Sequence, residues 1–213
     1  MIPRVYPILD AGALAARGLG LVEAAEALLE GGAGILQIRN KQLWTREFFA
    51  GAEEVARLSG GRAILMINDR ADIARLLGAG VHLGQDDLAP ADARRVLAAG
   101  ALVGFSTHNA GQLEAAQSEP VDYVALGPIF ATGSKPDPDP EVGIERLRAW
   151  RASSDRPLVA IGGVTRANAR AVLAAGADSV AVIGDLLPET SARRALRERM
   201  EEWSRLVTLE TAA

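Results

Sequence analysis

Cysteine is absent from the 213 residues, which excludes disulfides, thiolate metal sites and a cysteine nucleophile. Histidine is scarce, with only His82 and His108, so any metal site must lean on oxygen ligands. No apolar run approaches the roughly 20 residues that cross a bilayer. The start, Met1-Ile2-Pro3-Arg4, does not read as a signal peptide, because the apolar stretch after it breaks at Asp10. A formal net charge of -4 leaves no basic footprint for nucleic acid, so any anion site must be local. The expectation is a cytoplasmic protein with neither membrane nor nucleic acid as partner. Hydrophobic residues at 49% and charged residues at 23% call for a packed core rather than disorder. The length suits a single domain spanning residues 1–213, a size that α/β barrels commonly reach.

One phrase recurs along the chain. AAEALLEGGAGILQI (24–38), ARLLGAGVHL (74–83), ARRVLAAGALVGF (93–105) and AVLAAGADSVAV (171–182) each run from a helix end through glycine into a short strand. Glycine supplies the left-handed helix cap, and helix–glycine–strand repeats mark parallel βαβ units. Short apolar runs give eight candidate strands: Val5–Leu9, Ile35–Ile38, Ala63–Ile67, Gly80–Leu83, Leu102–Phe105, Tyr123–Leu126, Leu158–Ile161 and Ser179–Val182. Ala-rich helical stretches lie between them, among them Val22–Glu30, Arg46–Leu58, Gln112–Gln117, Ile144–Ala152 and Arg166–Ala175. Alternation on this scale predicts a (β/α)8 TIM barrel, with a doubly wound open sheet as the other arrangement. Proline and aspartate alternate over Lys135–Pro140, inside a long connection from Gly127 to Gly143. That pattern is a loop, and its length reads either as a lid or as a surface insertion.

In such barrels chemistry sits at the carboxyl ends of the strands. Gln37, Arg39 and Lys41 alternate at the end of the second strand, so an amide and two cations project together towards an anion such as a diphosphate. Asn68-Asp69 and Gln85-Asp86-Asp87 follow neighbouring strands. Asp69 and Asp87 can meet at one point to hold Mg²⁺, a cation that takes one or two carboxylates together with phosphate oxygens; the competing reading is helix N-capping. Gly162-Gly163-Val164-Thr165 opens onto a helix after the seventh strand, the usual monophosphate position of this architecture, although a plain tight turn would look the same. His82, inside a strand, reads as a hydrogen-bonded core histidine, and His108 at a strand end is the better candidate for proton chemistry. Ser106 has no evident general base in the sequence and is expected to donate a hydrogen bond rather than attack. Trp44, Trp150 and Trp203 are expected to pack.

With these residues assembled, the chain resembles thiamin phosphate synthases and the related thiazole tautomerase-like proteins over nearly its whole length. The motifs that carry the resemblance are Gln37-Ile38-Arg39-Asn40-Lys41, Ile67-Asn68-Asp69, His82 to Asp87, Gly104-Phe105-Ser106, Asp122 to Phe130, Thr132-Gly133-Ser134-Lys135, Ile161 to Val164 and Gly176 to Val182, all in order. The resemblance implies condensation of a hydroxymethylpyrimidine diphosphate with a thiazole monophosphate. It implies that Arg39, Lys41, Asn68, Ser106 and Lys135 hold the diphosphate, with Lys135, Ser106, Arg39 and Lys41 serving the chemistry. Asp69 and Asp87 would carry Mg²⁺ and Gln37 would touch the pyrimidine. Thr132, Ser134, Gly163, Ile183 and Gly184 would line the thiazole phosphate site. The sequence also admits a homodimer.

One departure stands out. Where the family usually shows a small hydroxyl residue and then a small apolar one, this chain has Gly184-Asp185. Glycine keeps a backbone N–H but loses a hydroxyl donor, and Asp185 brings negative charge to the place a phosphate should occupy. Either Asp185 points outward or the second substrate differs. The alternatives in function are a thiazole tautomerase-like enzyme, which needs no diphosphate site, and a non-catalytic barrel that binds a phosphorylated ligand.

Overall fold

The computed structural model describes residues 1–133, 139–189 and 192–208. Eight parallel strands close into a barrel in sequence order, with the first paired to the eighth. They are β1 (Val5–Asp10), β2 (Ile35–Arg39), β3 (Ile64–Asn68), β4 (Gly80–Leu83), β5 (Val103–Thr107), β6 (Tyr123–Leu126), β7 (Leu158–Ile161) and β8 (Ser179–Val182). The open-sheet alternative is thereby removed. Several strands run a residue or two beyond their apolar runs. Asp10 pairs with Arg39, Asn68 with His82 and Thr107 with Leu126, because a polar side chain leaves the backbone ladder intact.

The helices are α1 (Ala11–Ala16), α2 (Leu21–Glu30), α3 (Arg46–Ser59), α4 (Ala71–Leu77), α5 (Pro90–Val96), α6 (Ala110–Ala115), α7 (Gly143–Arg151), α8 (Ala169–Ala174) and α9 (Arg193–Thr208). Side-chain caps set several starts. Thr45 accepts from the Phe48 N–H at 3.1 Å to open α3, and Asn109 accepts from the Gln112 N–H at 3.0 Å to open α6. That cap moves α6 ahead of the stretch expected from periodicity. In the opposite sense α8 begins at Ala169, not Arg166. The Asn168 side chain accepts from the Thr165 N–H at 2.8 Å and donates to the Gly163 carbonyl at 3.1 Å, holding residues 165–168 as a turn.

Alternation along the strands sorts side chains into two cores. Tyr6, Ile8, Ile35, Met66, Tyr123, Ala125, Val159 and Ala181 fill the barrel interior, and Leu36, Ile38, Ile67, Val81 and their counterparts face the helices. On α2, Ala24, Ala25 and Ala27 are fully buried, small enough to bring that helix close to its neighbours α3 and α9. Trp203 is fully buried on α9, while Trp44 and Trp150 are partly buried against the outer core, so all three pack as expected.

Candidate active site

Because all strands run the same way, their carboxyl ends share one mouth. A cavity of about 460 Å³ opens there, and its walls include Gln37, Arg39, Asn68, Ser106, Thr132, Gly163, Ile183 and Gly184. The mouth thus gathers these eight candidates from separate loops, whereas Lys41, Asp69 and Asp87 are not among its walls. Ser134 and Lys135 lie outside the described residues.

The alternation expected for Gln37, Arg39 and Lys41 holds only in part. The first two lie on β2 and line the cavity. Lys41 does not continue the strand, because the Asn40 side chain accepts from the Gln42 N–H at 2.9 Å and turns the chain. Lys41 reaches the next strand end instead, with Nζ 2.5 Å from Asp69 Oδ2. Asp69 is hydrogen-bonded in turn to Asp87, whose Oδ2 accepts from the Gly84 N–H at 2.7 Å. Burial first, and the Asp69 carboxylate second, push the Asp87 carboxyl above its usual range. Neither aspartate caps a helix: the N-cap residues of α4 and α5 are Arg70 and Ala89, and neither makes a side-chain cap bond. Asp69 also holds a left-handed backbone, φ 64°, which an aspartate adopts at a cost. Two adjacent carboxyl groups beside a lysine are a donor set that fits Mg²⁺, which takes one or two carboxylates together with phosphate oxygens. Among the described residues no group of three or more His, Cys, Asp or Glu side chains is placed to hold a metal, so remaining ligands would come from substrate and water.

Arg39 is paired with Asp10, a residue the apolar-run reading passes over as the end of β1. Asp10 also accepts from the Ala13 N–H at 2.8 Å and so caps α1. Asn68 is buried, and its Nδ2 has no hydrogen-bond partner. A buried amide donor left open beside a cavity is costly unless a ligand accepts from it.

Ser106 does have a basic neighbour. His82 Nε2 lies 2.9 Å from Ser106 Oγ, brought there because His82 and Gly104 are partners across β4 and β5. The other ring nitrogen faces the Tyr123 hydroxyl at 2.9 Å, where a serine–histidine–carboxylate triad would have a carboxylate, so Ser106 keeps its hydrogen-bonding role. His82 is therefore the hydrogen-bonded core histidine expected. His108 Nδ1 lies 2.6 Å from the Gly127 carbonyl oxygen and 3.4 Å from Asp139 Oδ2.

At the phosphate end, the glycines have a second reason to be glycine. A Cβ on Gly163, at φ 62°, would lie 2.5 Å from the Ala131 carbonyl oxygen. Close packing of two loops requires it, whatever the ligand. Gly184 differs, since a Cβ there would meet nothing within 4 Å. The Asp185 carboxylate accepts from Arg166 Nε at 2.9 Å, and Arg166 also pairs with Glu202. The negative charge feared at this end is thus matched by a cation that the sequence motifs do not single out.

A family model described as thiamine monophosphate synthase matches residues 5–186. The chain belongs to the thiamine monophosphate synthase family. A relative named thiamine-phosphate synthase in Koribacter versatilis is 50% identical over 195 residues, covering 90% of this chain and 92% of the relative. One of the same name in Methanoculleus marisnigri is 43% identical, covering 86% and 90%. Among solved structures, the thiamine phosphate pyrophosphorylase of Pyrococcus furiosus superposes with a TM-score of 0.83 at 31% identity, over 99% of this chain and 97% of that one.

Proposed function

We propose that this chain joins a hydroxymethylpyrimidine diphosphate to a thiazole monophosphate, releasing pyrophosphate and forming thiamine monophosphate. The observations that carry the reading are the Lys41–Asp69–Asp87 cluster, which follows Asn68 at the end of β3, and the Arg39, Asn68 and Ser106 side chains in the cavity wall, in a chain half identical to a named thiamine-phosphate synthase. A site of this composition has no use in a tautomerase that handles no diphosphate.

In the proposed reaction the bond between the pyrimidine methylene and the diphosphate oxygen breaks, and its electron pair leaves with the oxygen. The thiazole nitrogen lone pair then forms the new C–N bond to the methylene. Arg39, Lys41 and the Asn68 amide meet the charge growing on the leaving group, so no side-chain nucleophile is needed. Gln37 orients the pyrimidine, and Ser106 donates to the diphosphate. The resemblance adds Lys135 to this set. Asp69 and Asp87 are the residues that would hold Mg²⁺, which supplies further neutralisation of the leaving diphosphate. Thr132, Ser134, Gly163, Ile183 and Gly184 take the second phosphate and hold the thiazole in line, where positioning accounts for much of the rate.

Incubation with both substrates and Mg²⁺ should release pyrophosphate in step with thiamine phosphate; neither product forming would remove the proposal. A cytoplasmic setting and a homodimer belong to the same proposal, and cell fractionation and light scattering of the purified chain test them.

A further inference from the structure

A continuous row of hydrogen bonds crosses the barrel interior along the floor of the cavity. Gln37 Nε2 lies 2.9 Å from the Tyr6 hydroxyl, which is 2.9 Å from the Tyr123 hydroxyl. Tyr123 in turn lies 2.9 Å from His82 Nδ1, and His82 Nε2 is 2.9 Å from Ser106 Oγ. We propose that Tyr6, Tyr123 and His82 are positioning residues whose hydrogen bonds run one way, from Gln37 to Ser106. They would present the Gln37 carbonyl as an acceptor and the Ser106 hydroxyl as a donor to the two ends of the aminopyrimidine diphosphate. The inference deepens the proposed function and rests on it.

The direction follows from counting protons. An amide nitrogen can only donate, so Tyr6 accepts from Gln37 and its own proton is left for Tyr123. Tyr123, having accepted, donates to His82 Nδ1. A neutral imidazole then carries its one proton on Nε2 and donates to Ser106. Ser106 is thereby supplied, and its own proton is left for the cavity, where an anionic oxygen would accept it. At the other end, Gln37 has spent its nitrogen on Tyr6, so Oε1 is the atom left for an exocyclic amine. A protonated His82 would donate to Tyr123, and with Gln37 donating from the other side one of the two phenol protons would lack an acceptor within the row. Burial pushes both phenols above their ordinary range, keeping them neutral donors.

The surroundings are built around these rings. Tyr123 stacks on His82 with centroids 5.5 Å apart and meets Tyr6 edge-on at 6.0 Å. A Cβ on Gly104 would lie 2.1 Å from the Tyr123 ring, so only glycine leaves room for it. Were the row reversed, Ser106 would turn lone pairs towards the diphosphate and Gln37 its donors towards an amine. The orientation at each end therefore decides the other.

Because the chain has only two histidines, the ring nitrogens of His82 can be assigned by ¹⁵N NMR with a His108→Gln variant as reference. We expect the neutral Nε2–H form; Nδ1–H or an imidazolium would overturn the inference. Tyr123→Phe, which removes one oxygen, should raise KM for the pyrimidine diphosphate about tenfold and lower kcat, leaving KM for the thiazole phosphate unchanged. Tyr6→Phe, three hydrogen bonds from Ser106, serves as the second variant should the first fail to fold, and the same split is expected. Equal changes in both KM values, or none, would mean that the row only packs the barrel. A wild-type enzyme that releases no pyrophosphate is a separate outcome: it refutes the proposed function, and the roles given to the two ends fall with it.

Discussion

Gly184→Ser probes the second phosphate site with the least disturbance. A Cβ at this position meets no heavy atom within 4 Å, and the backbone there is not left-handed, so a serine adds neither clash nor strain. Its hydroxyl would supply the donor that the family resemblance leads one to expect after the eighth strand. A hydrogen bond to a charged group contributes roughly 1.5–3 kcal/mol. After the cost of fixing the hydroxyl and displacing a water, we take about 1.4 kcal/mol, which is tenfold in affinity. The phosphate is remote from the reacting nitrogen, so this is uniform binding: KM for the thiazole phosphate should fall about tenfold while kcat stays unchanged. Gly184→Ala fills the same space without a donor and should leave both constants alone. Steady-state kinetics on the three proteins decides the matter. If serine and alanine behave alike, the phosphate does not lie against Gly184. Gly163→Ala gives the opposite contrast, because its Cβ would press on the Ala131 carbonyl from a left-handed backbone. A penalty of about 1–3 kcal/mol in strain should appear as a lower melting temperature and a raised KM for the thiazole phosphate.

Three further outcomes follow from the cluster and its neighbours. The folded state holds the Asp87 carboxyl above its unfolded range, so folding without metal is favoured below that window and loses the contribution as pH rises through it. Mg²⁺ needs the carboxylate, so its half-saturating concentration should fall across the same rise, a trend that Asp87→Asn abolishes; a flat titration in the wild type would contradict the assignment. Asp185→Ala removes a charge already matched by Arg166 and should change KM for the thiazole phosphate by less than about threefold, whereas Arg166→Ala should raise it by exposing that charge. A tenfold gain from Asp185→Ala would show that the carboxylate faces the ligand. Lys135→Ala should depress kcat far more than it weakens thiazole phosphate binding, and equal losses would contradict its place at the diphosphate.

The barrel could be read from the chain because each strand is a short apolar run closed by glycine or a polar residue. What could not be read is what happens across strands. Asp69 and Asp87 were expected to meet because their strands are consecutive, and they do. The Ser106–His82 contact needs the register of β4 against β5, which no local pattern encodes. Tyr6 and Tyr123 sit in runs that look like plain core, and only closure of the ring brings their hydroxyls to 2.9 Å although they are 117 residues apart. Lys41 was misplaced because strand alternation was carried one step past the Asn40 turn. Asp10 left one signal: it follows Ile8 at the two-residue interval that Arg39 keeps from Gln37.

Asp10 binds substrate recognition to architecture. One oxygen starts a helix and the other pairs with Arg39, the arginine proposed to meet the diphosphate. Substitutions at this position therefore cannot weaken the grip on substrate without also loosening the scaffold next to it. Selection for altered substrate affinity would have to act on Arg39 itself, leaving the aspartate as a fixed point about which the rest of the mouth can vary.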